Sequence, residues 1–281
     1  MGPPLIVLIP DMKGTSMRKC MLLFLFLIAT GAVIAEQVAS ILPPPRHGSV
    51  YVVAHRGAHE GIPENTLAAY RKAIELGADY VEIDVRETKD GRFVSIHNST
   101  VDGYTKEAKG PVKDFTLAEL RALDIGSRVG PQWKEERIPL FEDILDLCKG
   151  KIGIYLDLKN APVEKLIPFI KARGMERQII WYAGLGEQKQ VRDLCPECIP
   201  MPDPGPEKML GKLLERFKPR VVASSWGNMS ESFIKSCHQA GAIVIMDDDG
   251  PECWEKVLGW GLDGIQTDHP EALIKFLQER K

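Results

Sequence analysis

VVAHRGAHEGIPENTLAAY, residues 52–70, passes without a break from an apolar run that reads as a buried strand into a stretch that reads as a helix. The junction carries His55, Arg56, His59, Glu60 and Glu64. A buried strand feeding directly into a helix is the repeating unit of a parallel sheet, and these charges sit where the strand ends.

The same alternation runs through the rest of the chain. VYVVA (50–54), YVEIDV (80–85), IGIYLDL (152–158), QIIWY (178–182), CIPM (198–201), RVVAS (220–224), AIVIM (242–246) and DGIQT (263–267) are strand-like. Helical patterns over 64–76, 140–149, 162–173, 206–217, 230–240, 252–260 and 270–280 separate most of them. Eight such strands in about 230 residues predict the α/β class and a single-domain (β/α)8 TIM barrel. A doubly wound open sheet is the alternative, disfavoured because no GxGxxG follows the first strand. FVSIH (93–97) is a ninth strand-like run. It follows Asp90-Gly91, a two-residue turn signal, and so reads as a β-hairpin extension after the second strand. Pairing Lys89 with Arg92 would place Asp84 opposite His97, on one face.

Composition supports a full core, with 44% hydrophobic and 27% charged residues in a chain of 281. The formal charge is -3, and residues 1–35 carry +2 (Lys13, Arg18 and Lys19 against Asp11), which leaves -5 on the remainder. That balance excludes a nucleic-acid-binding surface, so attraction for phosphate must be local.

From Met17, itself a credible start, the chain reads MRKCMLLFLFLIATGAVIAEQ: a basic start, an uncharged apolar run from Met21 to Ala35, and small residues before Glu36. This is the pattern of a secretory signal cleaved near Ala35. A membrane anchor over 21–35 is the alternative, although the run is shorter than the roughly 20 apolar residues a span needs. Residues 1–35 therefore read as a leader and 36–49, with PPP at 43–45, as a linker. Residues 50–281 form the barrel domain, exported to the periplasm or the medium, with no stable membrane insertion of the mature chain. Cys20 would leave with the leader, so Cys148, Cys195, Cys198, Cys237 and Cys253 remain, an odd number. CPEC at 195–198 has the spacing of a redox pair or half a zinc site, but no second CxxC or His pair accompanies it, which favours a structural pair.

In a (β/α)8 barrel, functional groups gather where the strands end at their C-terminal face. His55 and Arg56 follow the first strand, Glu82 and Asp84 end the second, and Asp157 and Lys159 end IGIYLDLK. An i, i+2 spacing puts Glu82 with Asp84, and Asp157 with Lys159, on one face of their strands. Three carboxylates facing one mouth repel one another, and a divalent cation relieves this; an all-oxygen site suits Ca²⁺ or Mg²⁺ rather than zinc. A lone Asp or Glu at a strand end is ordinarily solvated or a helix cap, and a lone His is ordinarily structural. The convergence of His55 and His97 with these carboxylates, Arg56 and Lys159 on one rim favours function.

Seven stretches carry a resemblance that spans nearly the whole mature chain: AHRGA (54–58), PENT (63–66), ADYVEIDVRETKDGRFVSIHN (78–98), FTLAELRALDIGS (115–127), ERIPLFEDIL (136–145), YLDLK (155–159) and DGIQTDHPEAL (263–273). In their order they resemble the glycerophosphodiester phosphodiesterases, among the phospholipase-C-like barrel phosphodiesterases. The resemblance implies a metal-dependent hydrolase of small glycerophosphodiesters, giving sn-glycerol 3-phosphate and an alcohol. It implies His55 and His97 as acid and base, Glu82, Asp84 and Asp157 as ligands of one divalent cation, Ca²⁺ or Mg²⁺, and Arg56 and Lys159 as phosphate holders. The chain departs from the family's usual pattern at Asp157, commonly Glu, at Asn98, commonly Asp, and at IMDDD (245–249) near the last strands.

Several residues have two readings. Glu64 and Asn65 either orient His55 or the phosphate, or, for Glu64, serve as an acid in a helix's first turn. Trp226 either lines the alcohol pocket or packs at the rim. His59 reads as a surface residue, His269 as structural, and Asp268 as the N-cap of the last helix. The short stretch 98–114 reads as a small insertion that leaves an open mouth. Two rival functions are a phospholipase D or lysophospholipase D on membrane lipids, which needs apolar mouth loops, and a non-catalytic binding barrel, which does not need both histidines. Oligomeric state is not legible in the sequence. On the export reading, protein recovered from the cell envelope or the medium begins near Glu36 by N-terminal sequencing; an intact N-terminus in the membrane fraction would favour the anchor instead.

Overall fold

The computed structural model describes residues 41–280, so the leader, the signal and anchor readings of residues 17–35, and residues 36–40 lie outside the described residues. The elements follow in the order β1 (Tyr51–Ala54), α1 (Leu67–Leu76), β2 (Tyr80–Glu87), β3 (Phe93–Ser95), α2 (Leu117–Ala122), α3 (Phe141–Cys148), β4 (Gly153–Asn160) and α4 (Val163–Lys171). After them come β5 (Ile179–Tyr182), α5 (Leu185–Leu194), β6 (Ile199–Pro200), α6 (Leu210–Phe217), β7 (Val221–Ser225), α7 (Glu231–Gln239), β8 (Ile243–Asp247), α8 (Trp254–Gly259), β9 (Gly264–Thr267) and α9 (Pro270–Glu279).

Eight strands pair in the order β6-β5-β4-β2-β1-β9-β8-β7, and β3 joins β2 off this path. The eight form a nearly closed parallel barrel, as expected from the alternating strand and helix patterns. At the seam between β6 and β7 the Ala223 N–H donates to the Pro202 carbonyl at 3.1 Å. Strand alternation divides the apolar residues into two shells. Val53, Tyr80, Tyr155, Ile180, Val221, Ala223 and Ile245 fill the barrel interior. Val52, Val81, Ile83, Ile154, Val222 and Ile265 face outward into the larger core beneath the helices. The fold therefore leaves polar interior-facing positions only near the strands' C-terminal ends.

β3 is a hairpin arm as expected, with a different register. Val85 pairs with Ser95, Arg86 with Val94 and Glu87 with Phe93, so Ile96 lies opposite Asp84, its N–H bonded to the Asp84 carbonyl at 3.0 Å. The connection is a three-residue loop, not the expected two-residue turn. Thr88 N–H bonds to the Arg92 carbonyl, Gly91 takes φ 72, and the Lys89 N–H is drawn away to the Phe115 carbonyl. One extra loop residue slips the register by one position. His97 reaches the mouth because the chain leaves the ladder after Ser95, not because it stands opposite Asp84.

Two helices escaped the sequence reading. α5, LGEQKQVRDL, buries only Gln188 and Val191, and the buried Gln188 donates Nε2 to the Trp181 carbonyl at 2.7 Å, so a polar residue occupies the place where an apolar one would have marked the period. α2 belongs to a larger insertion than the one expected over 98–114. Val94, Ile96, Val101, Tyr104, Val112, Leu120, Leu123, Ile125 and Ile138 form a small core of their own beside the barrel mouth. Thr116 and Glu119 close a capping box at the start of α2.

The described part of the segment read as a linker, residues 41–49, packs against the barrel. Leu42 is buried among the interior residues at the end opposite the mouth, and the Tyr51 hydroxyl donates to the Pro43 carbonyl at 2.9 Å. Asp79 ties the segment down, accepting the Arg46 N–H and the Val52 N–H at 2.8 Å each. Cys195 and Cys198 form a disulfide, and Cys148, Cys237 and Cys253 are free and buried. Because Leu42 is a buried plug, Leu42→Ala should destabilise the fold by about 2–3 kcal/mol in chemical denaturation; an unchanged midpoint would show that residues 41–49 are only a tether.

Candidate active site

β2 and β4 build the acidic centre. Their register pairs Glu82 with Tyr155 and Asp84 with Asp157, so the alternation that buries Ile83 outward turns both β2 carboxylates inward beside that of β4. Oxygens of Glu82, Asp84 and Asp157 lie within 4.8 Å of one another. Glu82 is 2% and Asp84 1% exposed. Burial first, then the neighbouring Asp84 and Asp157 charges, raise the Glu82 carboxyl well above the usual range. Burial also raises Asp157, against the opposing pull of Lys159. The Lys159 ammonium sits 2.6 Å from Asp157 Oδ2 and 3.1 Å from Asp84 Oδ1. Burial lowers the Lys159 pKa, but the two carboxylates outweigh it and hold the ammonium charged.

This cluster fits a hard divalent cation. Its donors are all carboxylate oxygens, as Ca²⁺ and Mg²⁺ prefer. Asp84 Oδ1 is fully enclosed and has no hydrogen-bond donor among the described residues, only the ion pair with Lys159. Lys159, shared between Asp84 and Asp157, cannot balance three clustered carboxylates, and the Arg56 guanidinium stands 3.9 Å off, so the cluster as a whole is short of positive charge.

The turn between β1 and α1 brings Arg56 to the acidic centre. Arg56 takes φ 50 and Gly57 φ 83. A Cβ on Gly57 would lie 2.7 Å from the Ala69 Cβ, so the turn packs onto α1 as only glycine allows. The Arg56 N–H donates to Glu82 Oε2 at 2.8 Å, and its guanidinium lies 3.9 Å from Asp84 Oδ2. Asn65, 2% exposed, donates Nδ2 to Asp84 Oδ2 at 2.7 Å and accepts from the Tyr70 and Ser95 hydroxyls at 2.9 and 2.8 Å. It therefore orients Asp84 rather than His55. Glu64 accepts from Arg56 Nη1 at 3.4 Å and from the Tyr104 hydroxyl at 3.1 Å. The helix begins at Leu67 with Thr66 as its N-cap, so Glu64 lies outside the first turn and the helix-acid reading does not apply.

The two histidines are held alike. His55 Nδ1 is 2.7 Å from Asp268 Oδ1, and His97 Nδ1 is 3.1 Å from Asn98 Oδ1. Both partners accept hydrogen bonds, which assigns the proton to Nδ1 and leaves Nε2 free in each neutral ring. Hydrogen bonds from His55 and His59 hold the Asp268 carboxyl far below the usual range. The Arg86 guanidinium donates to the His97 carbonyl from Nε at 3.2 Å, fixing the backbone that carries His97. His55, His97, Arg56, Asp157 and Lys159 line one cavity of about 260 Å³, together with Tyr155, Tyr182, Asp203, Asp247 and Gln266.

Two expectations change, and one open choice is resolved. Asp268 is not the N-cap of α9; His269 occupies that position, without a side-chain cap bond, and Asp268 instead bonds His55. His59 is not a surface residue, since its Nε2 shares Asp268 Oδ1 at 3.0 Å and its side chain is 22% exposed. Trp226 stacks on Trp260 with ring centroids 6.1 Å apart and is absent from the lining of the His55 cavity, which leaves the rim-packing reading. His269 pairs with Glu60 at 2.8 Å, away from that cavity. Asp268 was missed although Gln266 and Asp268 share the i, i+2 spacing that exposed Glu82 and Asp84.

A parallel barrel that brings buried carboxylates, two anchored imidazoles and two cations to one mouth has the acid, base and charge-balancing groups that hydrolysis of a phosphoric diester needs. Residues 55–191 match the model of the Glycerophosphoryl diester phosphodiesterase family. The glycerophosphodiester phosphodiesterase of Caldanaerobacter subterraneus subsp. tengcongensis is 33% identical over 81% of this chain and 98% of its own length. A crystal structure of glycerophosphodiester phosphodiesterase from Agrobacterium tumefaciens superposes with a TM-score of 0.70 at 25% identity, covering 80% of this chain and 99% of that one. An Oleispira antarctica phosphodiesterase, in complex with the product sn-glycerol-3-phosphate, gives 0.72 at 25% identity over 86% and 99%. The chain belongs to the glycerophosphodiester phosphodiesterase family.

If Asp268 orients His55, Asp268→Asn should lower kcat on the order of tenfold or more with little change in KM. Near-native kcat in that variant would make the His55–Asp268 pair structural.

Proposed function

We propose that the protein hydrolyses glycerophosphodiesters to sn-glycerol 3-phosphate and an alcohol, in a reaction that depends on a divalent cation and uses His55 and His97 as acid and base. The observation that carries this reading is the shared cavity in which both imidazoles, each anchored through Nδ1, face Arg56, Asp157 and Lys159. The product complex of the Oleispira antarctica relative supports the product class.

Cleavage of a phosphodiester needs one proton taken from the attacking hydroxyl and one delivered to the departing alkoxide. With Nδ1 held by Asp268 or Asn98, one ring can take the first proton at a free Nε2, and the other delivers the second from Nε2 as an imidazolium protonated on both nitrogens. Arg56 and Lys159 hold the phosphate and offset charge on its non-bridging oxygens. Glu82, Asp84 and Asp157 would hold one Ca²⁺ or Mg²⁺, which when bound supplies Lewis-acid polarisation of a phosphate oxygen. Asn65 keeps Asp84 in place for that task.

A membrane-lipid phospholipase D would need exposed apolar residues on the mouth loops. Val101 and Tyr104, the apolar candidates of the 98–114 stretch, are 0% and 4% exposed and belong to the insertion's own core. The cavity of about 260 Å³ suits a small polar diester. We also take the chain to act after export, a reading that rests on the sequence of residues 17–35.

His55→Ala and His97→Ala should each lose on the order of 10²–10⁴ in turnover of glycerophosphocholine while keeping the fold; near-native turnover would remove that residue from the chemistry. EDTA should abolish activity, and Ca²⁺ or Mg²⁺ should restore it. Asp157→Ala should need far more added cation than wild type, and Asp157→Glu should stay partly active. An unchanged metal requirement in Asp157→Ala would take Asp157 out of the site.

A further inference from the structure

The end of the barrel opposite the mouth carries the opposite charge. Arg177 before β5, Arg192 at the end of α5, and Lys218 and Arg220 before β7 surround a cavity of about 450 Å³, and all four are exposed. Arg173 nearby is paired with Asp146 at 2.6 Å, whereas among the described residues these four have no carboxylate in salt-bridge reach. Lys149 and Lys151, in the turn before β4, extend the patch and are exposed. Acids at this end are Glu176 and Glu197 near the cavity, exposed Glu215 near the end of α6, and Asp146, Asp193 and Asp263, which are paired with Arg173, Lys189 and His238. At the mouth stand Asp203, Asp247 and Asp268. The chain without its leader is net acidic, so the patch reflects placement rather than general basicity.

The path of the chain points to what this face meets. Ile41 lines the same cavity, and Leu42 plugs the barrel end beside it, so the chain preceding the fold enters from this face. On the anchor reading that chain brings the apolar run 21–35 to this side of the barrel; on the signal reading the run is removed and the basic face alone makes the contact.

We propose that the basic end of the barrel docks on an anionic phospholipid bilayer, with lipid phosphates received by Arg177, Arg192, Lys218 and Arg220. The cavity is concave and large enough for a head group, and guanidinium groups bind phosphate through paired hydrogen bonds. The acidic mouth is repelled by the same surface and so points away from it. The orientation presents the catalytic cavity to diesters in solution rather than to lipids of the membrane on which the protein sits. This deepens the proposed substrate class, yet its test reads lipid binding and does not depend on turnover.

The test is co-sedimentation of the chain from Glu36 onward, which keeps the whole described fold and omits the apolar run, with phosphatidylcholine vesicles with and without phosphatidylglycerol. The wild type should bind the anionic vesicles more tightly and release them as salt rises. Each of Arg177→Gln, Lys218→Gln and Arg220→Gln should weaken that binding about fivefold, and the triple variant roughly a hundredfold. Melting temperature monitors their fold, and the single variants serve if the triple variant folds poorly. Vesicle-bound enzyme should keep its turnover of soluble glycerophosphocholine. Equal binding to both vesicle types, or unweakened binding by the single variants, overturns the proposal. Displacement by inorganic phosphate, at an ionic strength where chloride does not displace, would identify a free-anion site instead. Loss of turnover on binding would overturn the mouth-outward orientation.

Discussion

Three carboxylates share the mouth of this barrel, two of them almost out of reach of water. Strand register is the constraint behind this arrangement. Because β2 and β4 are parallel neighbours with Asp84 beside Asp157, the side chains cannot spread apart without breaking the ladder. Burial and mutual repulsion then work against ionisation, as the raised Glu82 and Asp157 carboxyls reflect. Much of the surrounding structure compensates. Lys159 bridges two of the acids, the Arg56 N–H and the Asn65 amide bond to Glu82 and Asp84, and Tyr70 and Ser95 hold Asn65 from behind. These contacts orient the carboxylates but do not neutralise three charges with one ammonium and a more distant guanidinium.

The histidines meet this centre from two different connections. His55 comes from the β1 turn, where Gly57 lies against α1 too closely for any other residue. His97 comes from the chain that leaves the β3 hairpin and starts the insertion with its own small core. Each is fixed by a neighbour, Asp268 for one and Asn98 for the other, so the rings face the cavity in one tautomer. The difference between a carboxylate and an amide behind the two rings is a chemical asymmetry within an otherwise similar pair.

The barrel was legible because its strands are short apolar runs bounded by helices, and period-two alternation alone placed Glu82 with Asp84 and Asp157 with Lys159. Less local features were not. The hairpin register depended on a Lys89 N–H captured by Phe115, a contact no turn signal announces. α5 was hidden because a glutamine occupies one of its two buried positions. Asp268 read as a helix cap because its sequence context, just before a proline, is that of a cap; its bonds to His55 and His59 span more than two hundred residues and arise only when β9 closes against β1. Glu64 and Asn65 were legible as important and ambiguous as to partner, since one short turn carries both toward different side chains.

The central claim is that Glu82, Asp84 and Asp157 together hold one divalent cation beside the two histidines. Anomalous diffraction from crystals of the protein soaked in Mn²⁺, a stand-in for the harder cations, tests it most directly. The account predicts one strong peak within bonding distance of oxygens from all three carboxylates. A peak elsewhere, or none in crystals that still turn over glycerophosphocholine, would contradict it.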